Sequence, residues 1–172
     1  MTRDRWVREN PRSLEAGRVI DAPVGDIFRF LSDPRNHARL DTSGMVRGAA
    51  SDAVITGVGD VFVMNICNEF KGEHQDENHV VTFEPGRAIG WAPAEPGAVP
   101  AGHTWTWHLE PLGADRTLVR HAYDWSRFTH LAMLQHLPVI DGRQLQESID
   151  RLAAALGPAR TQDQTDHTER TR

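Results

Sequence analysis

The chain has 172 residues, of which 39% are hydrophobic and 25% are charged, and its net charge is −5. This composition excludes collagen-like, low-complexity and wholly disordered chains, and the length suits a single domain. An excess of acidic residues gives no electrostatic footprint for nucleic acid, and no apolar run reaches the ~18 residues of a membrane span. The single cysteine, Cys67, rules out an intramolecular disulfide and is compatible with a reducing cytoplasm. Since the first residues also lack the apolar core of a secretion signal, we expect a cytoplasmic protein.

The N-terminal third predicts an arm, a strand and two short helices. Residues 1–11 are mostly polar and predict a mobile arm with Trp6 as its candidate anchor, followed by one domain over residues 12–157. Residues 13–21 predict the first strand. Pro23 favours a helix start, and the apolar residues that follow it recur at helical spacing up to Leu31. A second short helix is expected from Pro34 to about residue 40.

The rest of the chain predicts antiparallel strands and then one long helix. Turns rich in glycine and proline separate the expected strands, at 58–66, 78–83, 88–92, 103–110 and 117–126. Apolar residues then recur at steps of four, three and four, the stripe of an amphipathic helix, at Leu145, Ile149, Leu152 and Leu156. Residues 158–172 contain no large apolar side chain and predict a disordered tail.

This order of elements predicts an α+β fold, because a run of strands has its helices segregated at the ends. The expected architecture is a curved antiparallel sheet of about seven strands wrapped around the long C-terminal helix. Two short helices follow the first strand. A sheet that curls around a helix with one apolar stripe leaves a cavity between the two layers.

The elements that carry a family resemblance lie between residues 13 and 157. They include RVIDAPVGDIFRFLSDPRNHARLD at 18–41, GDVFVM at 59–64 and TWTWHLEPLGADRTLVRHAYDW at 104–125. Their order resembles the helix-grip fold of the START-like superfamily, also called SRPBCC, and the hairpin ending Tyr-Asp-Trp is similar to bacterial members of the polyketide cyclase/dehydratase kind. The resemblance implies a hydrophobic pocket. It does not select a function, because this fold hosts carriers, cyclases and regulators.

The last two strands are rich in aromatic residues on one face. Alternation places Trp105 and Trp107 on the same side of one strand, and His121 and Tyr123 on the same side of its partner. An aromatic wall with few polar groups is typical of a pocket for a flat or hydrophobic molecule. The same side chains could equally fill the core of the domain. The candidate ligand-binding residues are Phe62, Met64, Ile66, Phe83, Trp91, Trp105, Trp107, Tyr123 and Trp125.

Four residues are candidates for proton chemistry. His121 could exchange a proton with a ligand and Tyr123 could polarise a carbonyl; the simpler interpretation, which we favour, is that both are satisfied by each other or by the backbone. His37 and Asp41 lie four residues apart, so a carboxylate could orient the imidazole, but a cap or turn hydrogen bond is favoured. The nine histidines lack metal-ligand spacing, so we expect no metal and no cofactor.

The leading hypothesis is a carrier or sensor that binds a small hydrophobic molecule of aromatic, polyketide-like or lipid-like character. The alternative is an enzyme of the polyketide cyclase/dehydratase type that uses the pocket histidine and tyrosine for proton transfer. A weaker third alternative is a module that binds protein clients. The sequence leaves the choice between a binding protein and an enzyme open.

Overall fold

The computed structural model describes residues 4–157, which form one eight-stranded antiparallel sheet and three α-helices. The strands are β1 (Arg5–Asn10), β2 (Ser13–Ile20), β3 (Val46–Ala49), β4 (Val61–Asn68), β5 (Gly72–Glu84), β6 (Ala88–Ala94), β7 (Thr104–Gly113) and β8 (Arg116–Asp124). The helices are α1 (Val24–Leu31), α2 (His37–Leu40) and α3 (Gly142–Ala155), with 3-10 turns at Pro34–Asn36 and Leu131–His136. The tail predicted to be disordered, 158–172, lies outside the described residues.

The sheet order is β1-β2-β8-β7-β6-β5-β4-β3, and the long helix α3 packs mainly against β2. The predicted apolar stripe is confirmed, since Leu145, Ile149 and Leu152 are fully buried. A reciprocal capping box begins the helix: the Gln144 amide donates to Asp141 Oδ1 at 2.7 Å, and the Asp141 amide donates to Gln144 Oε1 at 2.9 Å. The α+β helix-grip architecture is therefore confirmed.

The N-terminal segment differs from the expected mobile arm. Residues Arg5–Asn10 form the edge strand β1, which pairs with β2 along its whole length. The indole of Trp6 lies so close to Gly17 that any Cβ there would collide with it, so a glycine makes this contact feasible. The segment is polar because charged side chains are common on an exposed sheet edge, which they protect from pairing with other chains.

The sheet also contains more strands than the sequence indicated, and one of them, β5, is longer than expected. The sheet has eight strands instead of about seven, because β1 forms where an arm was expected. Strand β5 begins at Gly72 and not at residue 78, because its polar first half pairs with β4 from Asn68 to Val61. Within residues 4–157 no helix is long and apolar enough to cross a membrane.

Candidate ligand-binding site

A cavity of about 210 Å³ lies between the sheet and the elements that cover it. One wall is formed by β4 to β8. The opposite side is formed by α2, the 41–46 segment, the 137–140 segment and Ser148 of α3. The apolar and aromatic lining consists of Leu40, Met45, Val46, Phe62, Met64, Ile66, Trp91, Pro93, Trp105, Trp107, Leu137, Val139 and Ile140.

Cross-strand register explains why the aromatic side chains meet on this wall. Trp105 pairs directly with Tyr123, and their rings stack at 3.8 Å with an interplanar angle of 1°. Trp107 pairs with His121, and those rings stack at 3.7 Å and 10°. Trp91 is the partner of Trp105 on the other side. Directly opposed residues of an antiparallel pair share a face, so these rings lie side by side on one wall as two stacked pairs, and Trp105 is tilted by 40° to His121.

Most of the predicted ligand-binding residues border this cavity, and two do not. Phe83 follows a register shift in β5 and packs edge-on against Phe28 of α1, with 5.3 Å between the ring centroids. Trp125 follows the last residue of β8 and packs against Tyr123 at 4.9 Å. Both are core residues outside the cavity lining. The members that do line it are Phe62, Met64, Ile66, Trp91, Trp105, Trp107 and Tyr123.

His121 and Tyr123 lack the hydrogen bonds that the favoured sequence interpretation assigned to them. Both ring nitrogens of His121 are buried without a hydrogen-bond partner among the described residues, and the buried hydroxyl of Tyr123 lies near the Val139 backbone without a hydrogen bond of normal geometry. Burial, with smaller repulsion from His37 and His108, lowers the pKa of His121 to about 3. Burial raises the pKa of Tyr123 to about 12, against a smaller opposite effect of the Val139 backbone. At neutral pH the pair therefore offers a neutral imidazole and a protonated phenol.

The hypothetical pairing of His37 with Asp41 is not formed. The Nε2 atom of His37 lies 2.7 Å from the carbonyl oxygen of Leu31, and its ring stacks on Trp91 at 4.6 Å. Asp41 instead accepts hydrogen bonds from the amide and hydroxyl of Ser43 and from the Val46 amide. The turn interpretation of Asp41 is correct, because these three donors hold the chain as it leaves α2. Burial lowers the pKa of His37 to about 4.

Sequence reasoning missed several polar residues of the lining, among them Asp76, Asn78 and His103. Asp76 and Asn78 lie two apart on β5, so they face the same side of the sheet as the buried Val80. Extending that alternation backwards from residue 80 could have found them. His103 immediately precedes β7 and packs edge-on against Phe128 at 5.4 Å. Burial, with some repulsion from His130, lowers the pKa of His103 to about 4.

Comparisons with known proteins begin with sequence. No family model matches the chain. The uncharacterized protein Rv0088 of Mycobacterium tuberculosis strain H37Rv is 29% identical over 119 residues, which is 69% of this chain and 50% of the relative. The chain therefore spans about half the length of the curated relatives it matches.

Solved structures show the same fold at low sequence identity. A protein from Arthrobacter aurescens superimposes with a TM-score of 0.63 at 16% identity, covering 96% of this chain and 98% of that one. The Zhui aromatase/cyclase from Streptomyces sp. R1128 superimposes with a TM-score of 0.57 at 14% identity, covering 84% of this chain and 93% of that one. With these neighbours, the sheet and α3 show that the chain has the helix-grip fold of START-like proteins, as the sequence resemblance implied.

Proposed function

We propose that this protein binds a small hydrophobic molecule in the cavity between the sheet and α3, as a carrier or sensor. The observation that carries the proposal is the cavity beside the aromatic wall, into which Trp91 and Trp105 remain partly exposed. Trp105 is only partly buried although it lies on the core side of the sheet. A flat ligand placed against Trp91 and Trp105 would bury apolar area on both molecules.

The size of the cavity limits the ligand. A cavity of about 210 Å³ is larger than the ~150 Å³ apolar cavity that accommodates benzene. It is below the ~300 Å³ at which pockets for drug-sized molecules begin. A compact ligand of one or two rings fits this range, and a longer molecule would extend out of the cavity, which is open to solvent on one side.

The test is calorimetric titration with 1-naphthalenemethanol, an uncharged two-ring probe. We expect saturable 1:1 binding, and Trp105→Ala should weaken it by about 1–3 kcal/mol, the scale of one lost large aromatic contact. Trp6→Ala removes the same side chain from the sheet edge and is the matched control, with affinity within about twofold of the wild type. Absence of saturable binding by the folded wild-type protein would refute the proposal.

An enzyme of the cyclase/dehydratase type is the second candidate, and the unpartnered His121 and Tyr123 favour it. Buried polar groups are normally satisfied, so a ligand carbonyl could accept a hydrogen bond from the phenol while a ligand hydroxyl donates one to the neutral imidazole. Incubation with a poly-β-keto substrate separates the two functions. A carrier returns the substrate chemically unchanged, whereas an enzyme forms a cyclised or dehydrated product. In an enzyme that uses this histidine, the rate should fall ~100-fold or more in His121→Phe.

A further inference from the structure

One carboxylate in the cavity has no hydrogen bond among the described residues. Asp76 lines the cavity from β5, in register with Met64 of β4, and its side chain is 28% exposed. Its nearest ionisable contact is the Nε2 atom of His74, 3.6 Å from Oδ1. Partial burial raises the pKa of Asp76, and His74 and Lys71 act in the opposite direction. This carboxylate therefore has free acceptor positions that a bound molecule could use.

The described lining contains no lysine or arginine to balance this charge. Burial keeps the three lining histidines neutral at pH 7, because it lowers the pKa of His37 and His103 to about 4 and that of His121 to about 3. The lysine nearest to this end of β5, Lys71, is paired with Glu95. At neutral pH the charged groups of the cavity lining are thus carboxylates alone.

The second lining carboxylate cannot serve in the same way. Both oxygens of Asp41 are occupied by the Ser43 and Val46 donors of its own turn. Asp76 is therefore the lining carboxylate with acceptor capacity for a ligand, and it lies on the β4–β5 side of the aromatic wall.

We infer that the cavity selects a compact apolar molecule that carries a cationic amine or another strong hydrogen-bond donor. It discriminates against carboxylic acids, and Asp76 is the residue that determines this specificity. The inference rests on the proposed function and names its ligand class. An ammonium group beside Asp76 gains a charge-assisted hydrogen bond in surroundings less polar than water. A ligand carboxylate would instead face a like charge with no lining cation to compensate it.

The test compares three probes that share one ring system and differ in charge: 1-naphthalenemethylamine, 1-naphthalenemethanol and 1-naphthoate, titrated by calorimetry at pH 7.5. We expect the amine to bind about tenfold more tightly than the alcohol, and the acid about tenfold more weakly than the alcohol. In Asp76→Asn the three affinities should converge to within about threefold. Glu73→Gln removes a carboxylate from the exposed side of the same strand and should preserve the wild-type order.

The outcomes separate this inference from the proposed function. If the alcohol binds but the amine is no tighter and the acid no weaker, the inference is wrong and the proposed function stands. If none of the three probes binds to the folded protein, both are refuted. Should Asp76→Asn fail to fold, as thermal melting would reveal, the order of the three probes on the wild-type protein and on Glu73→Gln decides the question alone.

Discussion

At the scale of single residues, the aromatic wall combines two opposite properties. Stacking of His121 on Trp107 and of Tyr123 on Trp105 gives favourable ring contacts. The same burial leaves the polar atoms of His121 and Tyr123 without partners, which costs about 1–3 kcal/mol for each such group. Residues that cost stability in the free protein but face a cavity are good candidates for contact with a ligand.

The buried histidine predicts how stability depends on pH. An unfolded histidine titrates near pH 6.5, whereas burial lowers the pKa of His121 to about 3. Between these two pKa values the histidine of the unfolded chain is therefore protonated, whereas the buried histidine of the folded protein stays neutral. This contribution to stability is present in full above pH 6.5 and is lost progressively as the pH falls from there towards 3.

Replacing His121 by phenylalanine should flatten the acid limb of the stability curve. In urea unfolding between pH 7.5 and 5, we expect the free energy of unfolding of the wild type to fall more steeply below pH 6.5. The difference in slope should approach about 1 kcal/mol per pH unit. Trp107→Phe alters the packing of the same stack without removing a titrating group, so its slope should parallel that of the wild type. Parallel slopes for His121→Phe and wild type would contradict the assigned burial.

At the scale of elements, α3 completes the core and contributes Ser148 to the cavity lining. Its buried stripe faces the sheet. On a neighbouring face of the helix, Asp150 forms two ion pairs: its Oδ1 atom lies 2.8 Å from the guanidinium of Arg18 on β2, and its Oδ2 atom contacts Arg5 on β1. Gly142 at its first turn lies where a Cβ would collide with Val7 and Glu9. The helix is thus held by the apolar stripe, by these ion pairs and by close contact with the edge strand.

A charge in the apolar stripe should unfold the domain. Leu152 is fully buried, and an unpaired carboxylate there costs several kcal/mol, a large part of the ~5–15 kcal/mol that stabilises a typical domain. We expect Leu152→Asp to lower the melting temperature by more than about ten degrees or to abolish cooperative unfolding, because each kcal/mol lost lowers the melting temperature of a domain of this size by about 2–4 °C. Ala154→Asp places the same charge on the exposed side of α3 and should melt close to the wild type. If both variants melt alike, the helix does not pack as described.

Hydrophobic periodicity was sufficient to predict the elements whose burial is one-sided. The stripe of α3, the helix α1 and the alternating strands β7 and β8 all follow their predicted spans to within a few residues. Periodicity could not predict β1 or the first half of β5, because both are polar and owe their strand conformation to backbone pairing with a neighbour. Such pairing depends on the tertiary fold and leaves little trace in local composition.

In the candidate site, too, alternation along the sequence predicts some of the residues and not others. Trp105, Trp107, His121 and Tyr123 could be placed on one wall by alternation alone, and the structure puts them there. Asp76 lies in the part of β5 that looked like a loop, and Leu137 and Val139 come from the irregular segment before α3. The register shift that turns Phe83 towards α1 also has no clear sequence signal.

At the scale of the whole molecule, a curved sheet and one long helix enclose a chamber whose contents the fold does not dictate. The helix-grip fold is shared with structures at 14–16% identity, at which level only the architecture carries over. The choice of ligand depends on the cavity lining, which has an aromatic wall, three neutral histidines and one carboxylate with free acceptor positions. The proposed function therefore requires that a ligand binds in the cavity, in contact with the aromatic wall.

The most direct measurement is a two-dimensional ¹H–¹⁵N spectrum of the tryptophan indole groups, recorded with and without saturating 1-naphthalenemethanol. The chain has five tryptophans, of which Trp91, Trp105 and Trp107 line the cavity and Trp6 lies on the edge strand. The account predicts large shifts for the three indoles of the cavity and none for Trp6. Unchanged signals from the cavity tryptophans at saturation, or shifts as large at Trp6, would contradict it.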